Sequence, residues 1–155
     1  MSPSPTLLLV DDEENDLALL EMAAREAQFP SRLQKCSSGA AAIAYLEGTD
    51  AFATREEFPL PAGLLLDLNM PGKNGFDVLD WVRGHQELSH ITLIVLSGSD
   101  LAADVERAFD LGAHAYLVKS PSHHERVAMF RCLRDWLGMN HFPPRNRWIS
   151  AGSLD

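Results

Sequence analysis

Short apolar runs alternate with longer segments in which apolar residues recur at helical spacing, and this alternation predicts the fold. The runs that we predict to be strands are Thr6 to Val10, Arg32 to Cys36, Leu64 to Asp67, Ile91 to Leu96 and Ala113 to Val118. Predicted helices cover Leu17 to Ala27, Gly39 to Leu46, Phe76 to Gln86, Leu101 to Leu111 and Pro121 to Leu137. We therefore expect an α/β fold in which a doubly wound parallel sheet of five strands is flanked by five helices.

One connection in this pattern is longer than the others. Gly48 ends the second predicted helix, and Thr49 to Pro61 then carries turn-forming residues together with Phe52 and Phe58. We predict an extended loop inside the domain, anchored by its aromatic side chains, rather than a linker between domains.

Polar residues stand where four of the predicted strands end. Asp11 and Asp12 follow the first strand, Asp67 closes the third, Ser97 follows the fourth and Lys119 follows the fifth. The carboxyl ends of the strands in an open parallel sheet lie along one edge, so we expect these side chains to meet. Each of them alone also fits a solvated turn or a surface position, but together they indicate phosphoryl chemistry.

The expected cluster of carboxylates favours a cation. Two unit charges about 4 Å apart repel by about 4 kcal/mol at an effective dielectric near 20. A divalent cation relieves that repulsion, and oxygen ligands of this kind suit Mg²⁺. Asp67 could then attack phosphorus and form an acyl phosphate, with Lys119 neutralising phosphoryl oxygens and Ser97 donating a hydrogen bond to one of them.

Composition narrows the class of protein. A length of 155 residues with 46% hydrophobic residues predicts one globular domain. The net charge of −9 disfavours direct contact with nucleic acid or anionic lipid. Neither a membrane span nor a signal peptide is recognisable, so we expect a cytoplasmic protein. Cys36 and Cys132 lack metal-binding spacing and are predicted to be buried thiols in a reducing compartment.

Four motifs together closely resemble the receiver domains of two-component response regulators: LLLVDDEE, LLLDLNMPGKNG, ITLIVLSGSD and GAHAYLVKS. The resemblance covers Leu7 to Leu137. It implies a flavodoxin-like sheet with strand order 2-1-3-4-5, a receiver domain at residues 6–138, an N-terminal tail at 1–5 and a C-terminal extension at 139–155. It also implies a signalling protein whose chemistry is limited to its own phosphotransfer and autodephosphorylation.

The resemblance implies a role for each site residue. Asp67 would accept the phosphoryl group from a sensor histidine kinase in a Mg²⁺-dependent reaction. The Mg²⁺ ligands would be Asp12, Asp67 and the backbone carbonyl of Asn69, with Asp11 acting through water. Lys119 would bind the phosphoryl group, and Ser97 with Tyr116 would report phosphorylation through a coupled movement, although Tyr116 also fits a core position in its strand.

Two features depart from the commonest receiver pattern. Ser120 separates Lys119 from Pro121, where many receivers have proline directly after the lysine, and this leaves the shape of that loop open. The long segment from Gly48 to Pro61 resembles the stand-alone regulators that are paired with bacterial phytochromes. A bacteriophytochrome is therefore a candidate for the partner kinase.

The last helix indicates how the signal leaves the domain. Its apolar residues spread over roughly 220° of the circumference, which is wider than the stripe that one core requires. Residues 138–155 leave no room for a DNA-binding domain, so the output would be a protein contact. We expect a homodimer through this helix and the neighbouring fourth helix and fifth strand, with Met129, Cys132, Trp136 and Trp148 at the interface. The alternative is a tail that folds back on its own domain or stays disordered.

Three other functions use similar residues. A receiver that serves only as a scaffold would keep the fold without the chemistry. An aspartyl-phosphate phosphohydrolase commonly needs a second acid two residues after its nucleophile, where this chain has Asn69. A flavodoxin-like nucleotide binder needs a phosphate-cradling loop after the first strand, and the acidic run from Asp11 to Glu14 would repel phosphate.

Overall fold

The computed structural model describes residues 5–140. Within this range it contains five strands and five α-helices in alternation, together with two short 3₁₀ helices at Asp50–Phe52 and Gln86–Leu88. The strands are β1 (Thr6–Val10), β2 (Arg32–Cys36), β3 (Gly63–Leu66), β4 (Thr92–Ser97) and β5 (Ala115–Val118). The helices are α1 (Glu14–Glu26), α2 (Gly39–Glu47), α3 (Gly75–Arg83), α4 (Ala102–Asp110) and α5 (His123–Met139).

All five strands are parallel and lie in the order β2-β1-β3-β4-β5, as the resemblance implied. The register places Leu8 of β1 beside Leu64 of β3, and Leu64 beside Leu93 of β4. Every residue of β1 and β3 is buried. Helices cover both faces of these central strands, and this explains why their sequences are runs of leucine rather than alternating patterns.

The sheet separates two apolar cores, because successive strand residues point to opposite faces. Leu8, Val10 and Leu66 lie in the core that contains the buried side chains of α2 and α3. Leu7 and Leu9 lie in the other core, with the buried side chains of α1 and with Val127 and Phe130 of α5. The doubly wound arrangement predicted from the sequence is confirmed.

The long connection after α2 is anchored as predicted. The rings of Tyr45, Phe52 and Phe58 pack against one another with centroids 5.2 to 5.9 Å apart. Arg55 is also buried, and its guanidinium donates hydrogen bonds to the carbonyl oxygens of Tyr45 (2.7 Å) and Leu46 (2.6 Å) at the end of α2. The segment is not wholly extended, because part of it forms the first 3₁₀ helix.

Several observed boundaries differ from the predicted ones, and local hydrogen bonds explain three of these differences. The third helix ends at Arg83, and Gln86 belongs to a separate 3₁₀ helix in which the Ser89 N–H bonds the Gln86 carbonyl. The fifth strand begins after Ala113, whose N–H is bonded to Ala108 at the end of α4. The last helix begins after Ser122, since its hydroxyl accepts a hydrogen bond from the Glu125 N–H and caps the helix.

Helix α5 packs on α1 and leaves a groove beside the sheet. Only Val127 and Phe130 of α5 are buried among the described residues of this helix. The groove has a volume of about 570 Å³ and is lined by mostly apolar side chains of α1, β4, β5 and α5. No helix in residues 5–140 is long and apolar enough to cross a membrane.

The two cysteines have different environments. Cys36 is 3% exposed at the end of β2, and burial raises the pKa of its thiol to about 12. Cys132 is exposed on α5. The prediction of a buried thiol was right for Cys36 and wrong for Cys132, which lies on the part of α5 that lines an open groove.

Candidate functional site

Two buried carboxylates lie one residue beyond the central strands. The Asp11 N–H bonds the Cys36 carbonyl at 3.1 Å, and the Asp67 N–H bonds the Val10 carbonyl at 2.9 Å. The parallel ladder therefore continues through both aspartates and fixes their backbone. Asp11 is 2% exposed and Asp67 is 5% exposed, so the sheet edge holds two acids away from bulk water.

A third carboxylate completes an acidic cluster. One oxygen each of Asp11, Asp12 and Asp67 lies within 4.8 Å of the others, and Asp12 is only partly buried. The Oδ1 atom of Asp11 accepts a hydrogen bond of 2.9 Å from the Glu13 N–H, which holds its carboxylate in place. Clustered hard oxygen atoms of this kind fit a divalent cation such as Mg²⁺. The sequence-predicted acids are thus brought together.

The pKa of Asp67 is shifted by its surroundings. The pKa of its carboxyl group is raised to about 6, chiefly because the group is buried and in part because the charges of Asp11 and Asp12 are close. The Lys119 ammonium and a hydrogen bond from the Asn69 backbone lower the pKa and offset part of the rise. Asn69 thus meets Asp67 through its backbone, while its side chain is exposed. A positive charge added near Asp67 would favour the ionised form.

Lys119 reaches the cluster from the end of β5. Its ammonium lies 2.7 Å from Asp11 Oδ2, 2.8 Å from Asp16 Oδ2 and 3.6 Å from Asp67 Oδ2. Burial alone would lower the pKa of Lys119, but the hydrogen bonds to Asp11 and Asp16 and the charge of Asp67 outweigh it and raise the pKa. Lys119 is therefore a fixed cation beside the nucleophile candidate.

Asp16 is not among the site residues that the sequence predicts. An acid in the first turn of a helix has an ordinary explanation in the helix dipole, so its type and position give no sign of the contact with Lys119. One other feature of the sequence does point to the contact. Asp16 follows Asp11 and Asp12 by about one helical turn, so its side chain can return to the same end of the sheet.

Ser97 and Tyr116 are both hydrogen-bonded to the backbone of one loop residue, Ser99. Ser97 is fully buried at the end of β4, and its hydroxyl accepts a hydrogen bond of 3.2 Å from the Ser99 N–H. The hydroxyl of Tyr116, on β5, donates to the Ser99 carbonyl at 2.8 Å. Ser99 Oγ in turn donates to Asp104 of α4 at 2.6 Å. The two predicted reporter residues are thus connected through the backbone of Ser99.

The loop after Lys119 has a defined shape. No peptide bond between described residues is cis, so the bond between Lys119 and Ser120 is trans. The Ser120 hydroxyl accepts from the Ser122 N–H at 3.1 Å, and the Ser120 carbonyl accepts from the Arg126 guanidinium at 2.9 Å. These contacts settle the point that the sequence left open.

Three of the four predicted interface residues lie on α5. Met129 and Trp136 are partly buried, Cys132 is exposed, and all three line the groove beside the sheet. Trp148 lies outside the described residues.

Residues 7–131 match the response regulator receiver domain family. The chain belongs to this family. Among curated proteins it is similar to the response regulator Rcp1 of Synechocystis sp., with 32% identity over 137 residues that cover 88% of this chain and 91% of Rcp1.

Three solved structures of response regulators share the fold. The phosphorylated cyanobacterial phytochrome response regulator RcpA superposes with a TM-score of 0.81 at 28% identity, covering 90% of this chain and 99% of RcpA. The regulator RPA3017, in red light signalling of R. palustris, gives a TM-score of 0.82 at 33% identity, covering 90% of this chain and 98% of RPA3017. The Mn²⁺-bound form of Rcp1 gives a TM-score of 0.77 at 29% identity, covering 90% of this chain and 99% of the Rcp1 chain.

Proposed function

We propose that this receiver takes a phosphoryl group on Asp67 from the phosphohistidine of a sensor histidine kinase. A carboxylate oxygen of Asp67 attacks phosphorus, the P–N bond breaks, and the imidazole leaves with the electron pair and takes up a proton. The observation that carries the proposal is the buried Asp67 carboxylate with a lysine ammonium 3.6 Å away and two further carboxylates within reach of a shared cation. At neutral pH a carboxyl group with a pKa of about 6 is mostly ionised, as a nucleophile must be.

Mg²⁺ is the cofactor that we propose for this reaction. Asp12, Asp67 and the Asn69 backbone carbonyl would hold the ion directly, and Asp11 would do so through water. When bound, the ion supplies charge neutralisation for the phosphoryl oxygens. Support comes from the spacing of the three carboxylates and from the Mn²⁺-bound form of the relative Rcp1.

Lys119, Ser97 and Tyr116 would read the phosphorylated state. Lys119 would pair with a phosphoryl oxygen, since an ammonium and a phosphate form a strong charge-assisted bond. A Ser97 hydroxyl that turns toward the phosphoryl group would loosen its contact with the Ser99 N–H. Tyr116 holds the carbonyl of the same residue, so the change at Ser97 would reach β5 through Ser99.

We propose that the output surface is a homodimer interface on α4, β5 and α5. Leu101, Phe109, Val118 and Met139 are large apolar side chains that are at least 47% exposed on or beside these elements. Exposed apolar side chains that gather on one surface are typical of contact surfaces. The groove lined by Met129, Cys132 and Trp136 continues the same surface, and Trp148 is proposed to contribute from the C-terminal extension.

The dimer has a direct test in sedimentation velocity at 1 to 100 μM on the full chain. A concentration-dependent dimer that is weakened by Met129→Glu supports the interface, and Glu14→Gln serves as a variant outside it. Monomer throughout this range, with and without phosphorylation, would overturn the dimer.

The kinase partner that we propose is a bacteriophytochrome. Two observations support it: the relative RcpA is a phytochrome response regulator, and the relative RPA3017 acts in red light signalling. The sequence resemblance of the segment from Gly48 to Pro61 to phytochrome-paired regulators favours the same partner. We further propose a receiver domain at residues 6–138 with tails at 1–5 and 139–155, a cytoplasmic location, and no direct contact with nucleic acid at a net charge of −9.

Intact mass spectrometry tests the central proposal. Wild type, Asp67→Asn and the charge-matched control Asp110→Asn are incubated with acetyl phosphate in Mg²⁺ or in EDTA. A gain of one phosphoryl group in Mg²⁺ only, in wild type and Asp110→Asn but not in Asp67→Asn, supports it. If acetyl phosphate gives no gain, transfer from phosphorylated bacteriophytochrome kinase is measured. Failure of both donors would leave a scaffold receiver and overturn the proposal.

A further inference from the structure

The Lys119 ammonium has more carboxylate partners than the phosphoryl site requires. Asp11 and Asp16 accept its short hydrogen bonds at 2.7 and 2.8 Å, whereas Asp67 lies beyond hydrogen-bond range at 3.6 Å. Asp11 and Asp67 belong to the acidic cluster at the sheet edge. Asp16 does not, because it reaches Lys119 from the first turn of α1.

We infer that Asp16 is a positioning residue that holds Lys119 in the unphosphorylated protein and competes with the phosphoryl group for it. This inference rests on the proposed phosphorylation of Asp67. A phosphoryl group on Asp67 adds negative charge and acceptor oxygens close to Lys119, whose ammonium is now 3.6 Å from the Asp67 carboxylate. An ammonium that moves toward those oxygens must weaken its 2.8 Å bond to Asp16.

The exposure of the partners makes Asp16 the partner that is easiest to release. Its side chain is 36% exposed, whereas the side chain of Asp11 is 3% exposed. Water can solvate a released Asp16 carboxylate at little cost, while a released Asp11 would remain buried. The ion pair with Asp16 is therefore the one that the phosphoryl group displaces.

The same contact joins the phosphoryl site to the proposed interface. Asp16 and Lys119 both line the groove between α1, β5 and α5, together with Leu20 and Met129. Release of Asp16 frees the first turn of α1 at the rim of this groove. A change in the partners of Lys119 would therefore affect α1 as well as β5.

The test compares Asp16→Asn with Glu14→Gln, which removes the same charge from an exposed position in the same helical turn. The initial rate of phosphorylation by acetyl phosphate in saturating Mg²⁺ should rise about threefold in Asp16→Asn, the size expected for loss of a partly exposed ion pair. Glu14→Gln should match wild type. Equal rates in the two variants would assign the effect to overall charge and overturn the inference.

A second measurement does not depend on phosphorylation. Nitrogen-15 NMR of the lysine side chains in EDTA should show slowly exchanging Lys119 ammonium protons in wild type and Glu14→Gln, and faster exchange in Asp16→Asn. Unchanged exchange of the Lys119 ammonium protons in Asp16→Asn would contradict the inference that Asp16 holds Lys119 in place. Failure of wild type to take phosphate from acetyl phosphate and from the kinase, with the NMR difference intact, would instead overturn the proposed function.

Discussion

The hydroxyl of Tyr116 donates a hydrogen bond of 2.8 Å to the backbone carbonyl of Ser99. Tyr116 lies on β5, and Ser99 lies in the loop that follows β4. The loop is also held from its other side, because the Ser99 hydroxyl donates to Asp104 of α4. One tyrosine hydroxyl therefore connects the edge strand to the loop between the proposed reporter Ser97 and α4.

Removal of that hydroxyl should loosen the loop. Tyr116→Phe keeps the ring, which packs against the core, and deletes one hydrogen bond worth about 1 kcal/mol. Amide hydrogen exchange at residues 98–101 should become roughly fivefold faster. Tyr45→Phe is the matched control, since it deletes a 2.8 Å bond to Pro59 elsewhere. Unchanged exchange at 98–101 in Tyr116→Phe would show that this bond does not hold the loop.

Asp67→Asn should stabilise the protein in the absence of divalent cations. Burial, the largest cause, raises the pKa of Asp67 from 3.8 to about 6 in the folded state, so its ionised form opposes folding. Below pH 4 the carboxyl group has no effect of this kind on the free energy of unfolding. Its ionisation lowers that free energy progressively between pH 4 and 6, and the full loss is present above pH 6. A shift of this size corresponds to about 3 kcal/mol at pH 7.5.

Urea unfolding in EDTA measures this effect. The gain in free energy of unfolding for Asp67→Asn over wild type should be large at pH 7.5 and should shrink as the pH falls through 6 toward 4. Asp110→Asn, at an exposed position, should change the free energy of unfolding by less than about 0.5 kcal/mol. A gain that is independent of pH would argue against the buried charge as its cause.

Arg55 should contribute strongly to stability. Its guanidinium is buried and donates to the carbonyl oxygens of Tyr45, Leu46 and Phe58, which end α2 and shape the connection after it. Arg55→Ala removes the guanidinium donor from all three carbonyl oxygens, although Tyr45 keeps a 3.1 Å hydrogen bond from the Gly48 N–H, and we expect a loss of about 3 kcal/mol in the free energy of unfolding. Urea unfolding with the exposed Arg32→Ala as control checks this. A loss below about 1 kcal/mol would mean that water replaces the guanidinium.

The two thiols should react differently. Cys132 is exposed and should react with a thiol reagent within minutes at pH 8. Cys36 is 3% exposed with its pKa raised to about 12, so it should react only on unfolding. Titration with Ellman's reagent should give one fast equivalent in native wild type and none in Cys132→Ser. Two fast equivalents in native protein would show that the end of β2 opens readily.

Much of the fold could be predicted from residue patterns. Apolar runs such as Leu7 to Val10 predict buried strands because both faces of a central parallel strand are covered. The polar residues that end these runs predict a shared site because parallel strands end at one edge. The local sequence alone was therefore enough to predict that the site would include Asp11, Asp12, Asp67 and Lys119.

Tertiary packing decided the contacts that join different elements. The ion pair between Asp16 and Lys119 depends on how α1 lies over the end of β5, and the contacts of Arg55 depend on how its segment folds back on α2. The exposure of Cys132 depends on the rotation of α5 against α1. By itself the sequence determined the strands, their buried character and the chemistry at their ends, because those follow from residue type and period. Only the tertiary structure decided which charges meet and which face of α5 stays open, because helix placement results from the sum of many weak packing contacts.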